Sequence, residues 1–161
     1  MSINQVLIVL NGEDKTILSE SSNKIILAKK KQENINYDHT LLQTNFDSLD
    51  DIIKANTIIK NRFSKIDEVI IVYRNIDLNM ISYQYDYNYI KQNYQELMNI
   101  IYLINLLVPQ LSDKFRFILS FEKDNHYKVH FNSFKVSLIK YLETLKIDLK
   151  KSININIKIL N

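Results

Sequence analysis

Short runs of branched apolar residues alternate with amphipathic stretches along this chain, and that alternation limits the fold more than any other feature. Val6-Leu7-Ile8-Val9-Leu10 and Lys24-Ile25-Ile26-Leu27-Ala28 have the length and continuity of strands buried on both faces. Leu41-Leu42-Gln43-Thr44-Asn45-Phe46 is a weaker third run. Ser48 then reads as a helix N-cap, with Asp50 and Asp51 in the first turn, where the helix dipole favours negative charge. Ile52, Ala55, Ile59 and Phe63 follow at helical spacing. Val69-Ile70-Ile71-Val72 is the next strand. From Tyr87 to Leu107 the stripe Ile90, Tyr94, Leu97, Ile101, Ile104 and Val108 predicts a long helix ending near Pro109. Phe115 to Phe121 is the fifth strand. Asn132 to Lys150 is the last helix, with Val136, Ile139, Leu142 and Leu145 expected on its buried face. Ile153-Asn154-Ile155-Asn156-Ile157-Lys158-Ile159 alternates strictly, as a strand at a sheet edge does. Strands alternating with helices make an α/β fold, a doubly wound and mainly parallel sheet. The stretch from Lys15 to Asn23 has room for only about two helical turns, so the first crossover helix is expected to be shortened or missing.

Composition excludes several classes. The 161 residues fit one domain with a sizeable core. Without cysteine there is neither disulfide nor thiol chemistry, which fits the cytoplasm. Met1-Ser2-Ile3-Asn4-Gln5 has no basic region ahead of its apolar run, so no signal peptide is expected. No run reaches the roughly 18 apolar residues of a membrane span. A net charge of +3 does not call for nucleic acid. The weight of Lys, Ile, Asn and Tyr is that of an AT-rich bacterial genome. Phosphate-cradling loops need glycine for close backbone approach, and the chain has one, Gly12.

Arg62-Phe63-Ser64-Lys65-Ile66-Asp67-Glu68-Val69-Ile70-Ile71-Val72-Tyr73-Arg74 resembles the fourth-strand region of short-chain dehydrogenases/reductases, where the usual form is RFGxIDxLVNNAG. The resemblance covers most of the chain and implies a Rossmann-like sheet of strand order 3-2-1-4-5-6. It also implies where the family's chemistry should lie. At the Asn-Asn-Ala-Gly positions stand Ile71, Val72, Tyr73 and Arg74. Thr44-Asn45-Phe46 stands where the family has an Asp-Val pair whose Asp contacts adenine; Asn45, the remnant position, can hydrogen-bond a base edge as any surface asparagine can. Counting back from Pro109, the family's structural and catalytic Asn falls at Glu96, with Asn93 one turn earlier; Asn93 reads either as a displaced equivalent or, with Glu96, as a polar position on an amphipathic helix. The family's Tyr-x-x-x-Lys corresponds to Phe131-Asn132-Ser133-Phe134-Lys135. The lysine is present, but a phenyl ring cannot transfer a proton. The catalytic serine falls at Glu122, with Ser120 two residues early on the same strand face.

The dinucleotide loop Thr-Gly-x-x-x-Gly-x-Gly corresponds to Leu10-Asn11-Gly12-Glu13-Asp14-Lys15. Only Gly12 remains, and Glu13 and Asp14 repel a diphosphate. Lys29-Lys30-Lys31, where basic residues hold a 2′-phosphate in NADP enzymes, reads as a solvated connection. The sequence runs to Leu160-Asn161, whereas the family continues with a Pro-Gly segment, a lid and a seventh strand; the pocket is therefore expected to lack a roof.

No other chemistry is signalled. His39, His126 and His130 share no metal-ligand pattern. Tyr127 lies four residues before Phe131 and is expected on a loop. Tyr83 to Tyr89 interleaves aromatic and polar residues, as a helix lead-in packed on a partner does. In the family the helices matching 87–108 and 132–150 pair across a two-fold axis, so a homodimer is expected there, burying Tyr94, Tyr102, Leu138 and Tyr141. The sequence thus predicts a non-catalytic, self-associating scaffold without cofactor or metal. The alternative is a divergent oxidoreductase or nucleotide-binding subunit using the remnant cleft.

Overall fold

The computed structural model describes residues 3–11, 22–29, 40–73, 86–122, 129–149 and 154–160. Six parallel strands form one sheet in the order β3-β2-β1-β4-β5-β6. They are β1 (Ile3–Asn11), β2 (Ser22–Ala28), β3 (Thr40–Gln43), β4 (Ile66–Tyr73), β5 (Leu111–Glu122) and β6 (Asn154–Leu160). The helices are α1 (Leu49–Arg62), α2 (Tyr87–Leu107) and α3 (Val129–Leu149). This is the expected Rossmann-like order. The third strand is shorter than its apolar run, and just past its end the Thr44 N–H donates to the Ala28 carbonyl at 2.9 Å. None of the described helices is long and apolar enough to cross a membrane.

Handedness explains where the helices lie. The steps β3→β4, β4→β5 and β5→β6 all run the same way across the sheet, and right-handed crossovers put their helices on one face. That face holds the larger core. Val6, Ile8, Leu10, Ile25, Leu27, Val69, Ile71, Phe115, Phe117, Leu119 and Phe121 meet Ile52, Ala55 and Ile59 of α1 there, with Leu97, Ile100, Leu103, Ile104 and Leu107 of α2 and Phe134, Leu138, Leu142 and Leu145 of α3. The other face carries a smaller cluster of Leu7, Val9, Ile26, Ala28, Ile70, Val72 and Ile118. The connections β1→β2 and β2→β3, and with them the expectation of a shortened first crossover, lie outside the described residues.

Local signals account for the helix ends. Ser48 is the α1 N-cap and its hydroxyl accepts from the Asp51 N–H at 3.3 Å. Asp86 does the same for α2, accepting from the Tyr89 N–H at 2.8 Å. Pro109 cannot continue α2 and sits in a 3-10 turn over Val108–Gln110.

Two expected stripes are out of phase. On α2 the buried line is Leu97, Ile100, Leu103, Ile104 and Leu107, while Tyr94 is 52% exposed. On α3, Val136 is 64% exposed, and Phe134 and Leu138 take the buried positions beside Leu142 and Leu145. Both helices carry apolar residues on more than one face, so periodicity alone does not say which face meets the sheet.

Candidate functional site

In an open parallel sheet, ligands bind at the carboxyl ends of the strands. Here that edge is held together by the chain's own polar side chains. Gln92, Glu96 and Asn99 lie along one side of α2, next to its apolar line. Gln92 donates to Asp47 at 3.1 Å. Asn99 donates to the Phe46 carbonyl at 2.9 Å and accepts from Gln95 at 3.0 Å. Glu96 is buried and forms an ion pair with Lys29, just past the end of β2. The seam ties α2 to the ends of β2 and β3. Glu96 is tolerated in the interior because the Lys29 ammonium meets it there with a charge-assisted hydrogen bond.

Lys29 was expected in solvent, and its pairing with Glu96 corrects that reading. Lys30 and Lys31 lie outside the described residues. The signal for this seam was the polar i, i+4, i+7 spacing of Gln92, Glu96 and Asn99. It could not be read without knowing that Lys29 and Phe46 lie opposite. Beside the seam is an open cleft of about 490 Å³ whose described lining is Lys29, Gln43, Asn45, Asp51 and Gln92. Asn45 is exposed there, and its backbone N–H donates to Asp51 at 3.1 Å.

Further along the edge, between β4, β5 and α3, aromatic rings fill the space. Tyr73 at the end of β4 stacks on Phe134 with ring centroids 4.6 Å apart and planes 2° from parallel. Both rings are buried. The Lys135 ammonium lies 5.4 Å from the centroid of the Phe121 ring, within cation–π range. The recess left between Asn93, Tyr94, Leu97, Ser133 and Phe134 holds about 10 Å³, about the room one water requires.

The sequence-derived positions divide as follows. Asn93 donates to the Tyr89 carbonyl of its own helix at 2.8 Å and faces no strand partner among the described residues. Ser120 is buried, and its hydroxyl finds no hydrogen-bond partner among the described residues. Phe131 lies in the first turns of α3 and Glu122 ends β5, but their side chains are outside the described set. Gly12, Arg74, Tyr127, His39, His126 and Tyr83 to Tyr85 also lie outside it, as does the His130 side chain. Leu138, expected at a subunit interface, is fully buried in its own chain and cannot serve there.

The α2–α3 contact contains one titrating group of note. Tyr141 donates its hydroxyl to Asn105 of α2, and burial pushes the phenol up to about 12. The unfolded chain ionises Tyr141 near 10 and the folded chain does not, so stability falls as pH rises between those values. We expect the alkaline loss of stability to be smaller in Tyr141→Phe than in the wild type. Denaturation series at pH 9, 10 and 11 measure it, and parallel curves for the two proteins would contradict the assignment.

No protein-family model and no curated protein sequence matches the chain. Solved structures do match its fold. A short chain dehydrogenase family protein from Francisella tularensis superposes with a TM-score of 0.76 at 16% identity, over 98% of this chain and 68% of that one. A short chain dehydrogenase from Leptospira borgpetersenii with bound NAD+ gives 0.71 at 12% identity, over 97% and 70%. A 3-ketoacyl-(acyl-carrier-protein) reductase from Brucella melitensis complexed with NADH gives 0.69 at 11%, over 94% and 73%. The chain therefore has the fold of the short-chain dehydrogenases/reductases.

Proposed function

We infer that this chain, which has the short-chain dehydrogenase/reductase fold, works as a non-catalytic scaffold or protein-interaction module and associates with itself. The observation that carries the reading is the stack of Tyr73 on Phe134. In the resembling sequences the position of Tyr73 is an alanine, which leaves room at the strand end. Here two buried rings take up that room, and the recess beside Phe134, lined by Asn93, Tyr94, Leu97 and Ser133, holds about 10 Å³. Phe131 offers no proton to transfer. Glu13 and Asp14 follow Gly12 where a diphosphate would have to sit, and no other glycine exists to bring backbone N–H groups to it. These residues do not fit a nicotinamide dinucleotide.

Self-association is supported by Tyr94, Met98 and Tyr102, one turn apart on the outer side of α2 and 52%, 65% and 42% exposed. Val136 and Ile147 are also exposed on α3. Exposed apolar groups at such density mark contact surfaces, and tyrosine and methionine are enriched in them.

A second reading rests on the cleft at Lys29, Gln43, Asn45, Asp51 and Gln92, which is large enough for a nucleotide-sized ligand. Under that reading the chain is a divergent nucleotide-binding subunit. A thermal-shift series with NAD, NADPH, ATP and AMP separates the two, because a ligand that binds only the native state raises its melting temperature. The scaffold reading expects no shift at millimolar ligand. A saturable rise of several degrees with any of them would favour the second.

A further inference from the structure

We propose that α1 carries a self-pairing seam: two copies of this chain lay their α1 helices antiparallel about a two-fold axis between Ile53 and Asn56. α1 buries Ile52, Ala55 and Ile59 in the core beneath it. A second line along the helix, Leu49, Ile53, Asn56 and Lys60, is spaced by four, three and four residues. That is the spacing of a helix–helix seam. Leu49 and Ile53 are 49% and 44% exposed. Asn56 lies where this line borders the core. It is buried, and its side-chain carbonyl oxygen has no hydrogen-bond partner among the described residues. A buried acceptor without a donor is destabilising, and an asparagine on a helix seam fixes register and the number of helices that join.

Charge selects a second copy as the occupant and sets its direction. Asp50 is exposed in the first turn of α1 and Lys60 in the last. Neither has an ion-pair partner among the described residues, whereas Asp51 already pairs with Lys54 at 3.9 Å. With the axis midway between Ile53 and Asn56, Asp50 of one copy lies within about one residue's rise, roughly 1.5 Å along the helix, of the level of Lys60 of the other. The same ion pair therefore forms at both ends. Antiparallel pairing also opposes the two helix dipoles, whereas parallel pairing aligns them and sets Asp50 on Asp50 and Lys60 on Lys60. At the centre Ile53 and Asn56 of one copy meet those of the other. Each Asn56 amide can donate as well as accept, so its counterpart supplies the donor that the carbonyl oxygen lacks. Leu49 lies on the aliphatic stem of the other copy's Lys60. The seam is short, which places it at the weak end of specific contacts. It is independent of the outer faces of α2 and α3.

The test is sedimentation of the full chain at about 1 mM, where weak contacts are populated. Every protein in the series carries Tyr102→Glu, so the outer face of α2 is disabled and α1 is read alone. The parent is expected to dimerise. Asp50→Lys and Lys60→Asp are each expected to weaken association by about tenfold or more, because like charges then oppose each other at both ends. An equimolar mixture of the two is expected to associate like the parent, because the mixed pair again sets opposite charges at both ends. Only an antiparallel seam between copies gives this rescue on mixing. Ile53→Ser, at a position exposed in the single chain, covers the case in which a charge variant does not fold, and is expected to abolish association. A parent that stays monomeric overturns the proposal, as does a mixture no more associated than its components. Association that ignores both the α1 charges and Ile53→Ser also overturns it, and assigns the contact elsewhere on the chain.

Discussion

Phe117→Ala should cost about 3–5 kcal/mol of folding stability, the usual range for removing a buried phenylalanine ring. Phe117 is fully buried at the middle of β5, between Val69 of β4 and Ile155 of β6. It packs edge-on against Phe115, with centroids 4.5 Å apart and planes at 80°. Its ring lies in the core shared by the sheet, α2 and α3, so truncation leaves a cavity walled by three elements that cannot all collapse into it. Domains of this kind have roughly 5–15 kcal/mol in total, so the variant should lose about a fifth of its stability or more. Urea denaturation measures it: the midpoint should fall with the slope unchanged. A loss below about 1 kcal/mol would mean that this face of the sheet is not packed as described.

The second large effect is expected on association. Tyr102→Glu should leave the monomer folded, because the ring is 42% exposed and carries little of the core. In a dimer pairing the outer faces of α2 and α3, the substitution brings two carboxylates close to the axis without a counter-charge. Leaving one buried charge unpaired costs about 3–5 kcal/mol, so a loss of roughly a hundredfold or more in dimer affinity is expected. Sedimentation equilibrium of the wild type and the variant between 1 and 100 μM (about the range of weak to moderate interfaces) decides it. A wild type that stays monomeric at the top of that range, or a variant that associates equally well, would remove the helical surface from the account.

The sheet order was readable because the apolar runs and helical stripes alternate cleanly and crossover handedness leaves few arrangements. Ser48 was readable as a cap because its reach is local: its partner, the Asp51 N–H, is three residues away. The α1 stripe was readable from its spacing after the Ser48 cap: Ile52, Ala55, Ile59 and Phe63 are all buried, while Leu49, Ile53 and Ile58 on the same helix are exposed. The same reasoning misjudged Tyr94, Val136 and Leu138. On α2 and α3 apolar residues occupy two faces, and a period of 3.6 does not choose between them. What selects the inner face of α2 includes Glu96 and Asn99, whose partners Lys29 and Phe46 lie 67 and 53 residues away in the chain. Such partners are fixed by the tertiary fold. Position matching located Tyr73 at the family's alanine, but that its ring stacks on Phe134, 61 residues on, is visible only in the structure.

We propose that Tyr73 and Phe134 fill the room at the carboxyl ends of β4 and β5 that a nicotinamide dinucleotide would need. Calorimetric titration of the full chain with NADH and with NADPH tests it most directly. The account predicts no saturable heat up to about 1 mM, a limit weaker than about −4 kcal/mol of binding, and the same blank result for Phe131→Tyr. That substitution restores a phenol at the family position without emptying the space that Tyr73 and Phe134 fill. Saturable binding of either cofactor at micromolar concentration would contradict it.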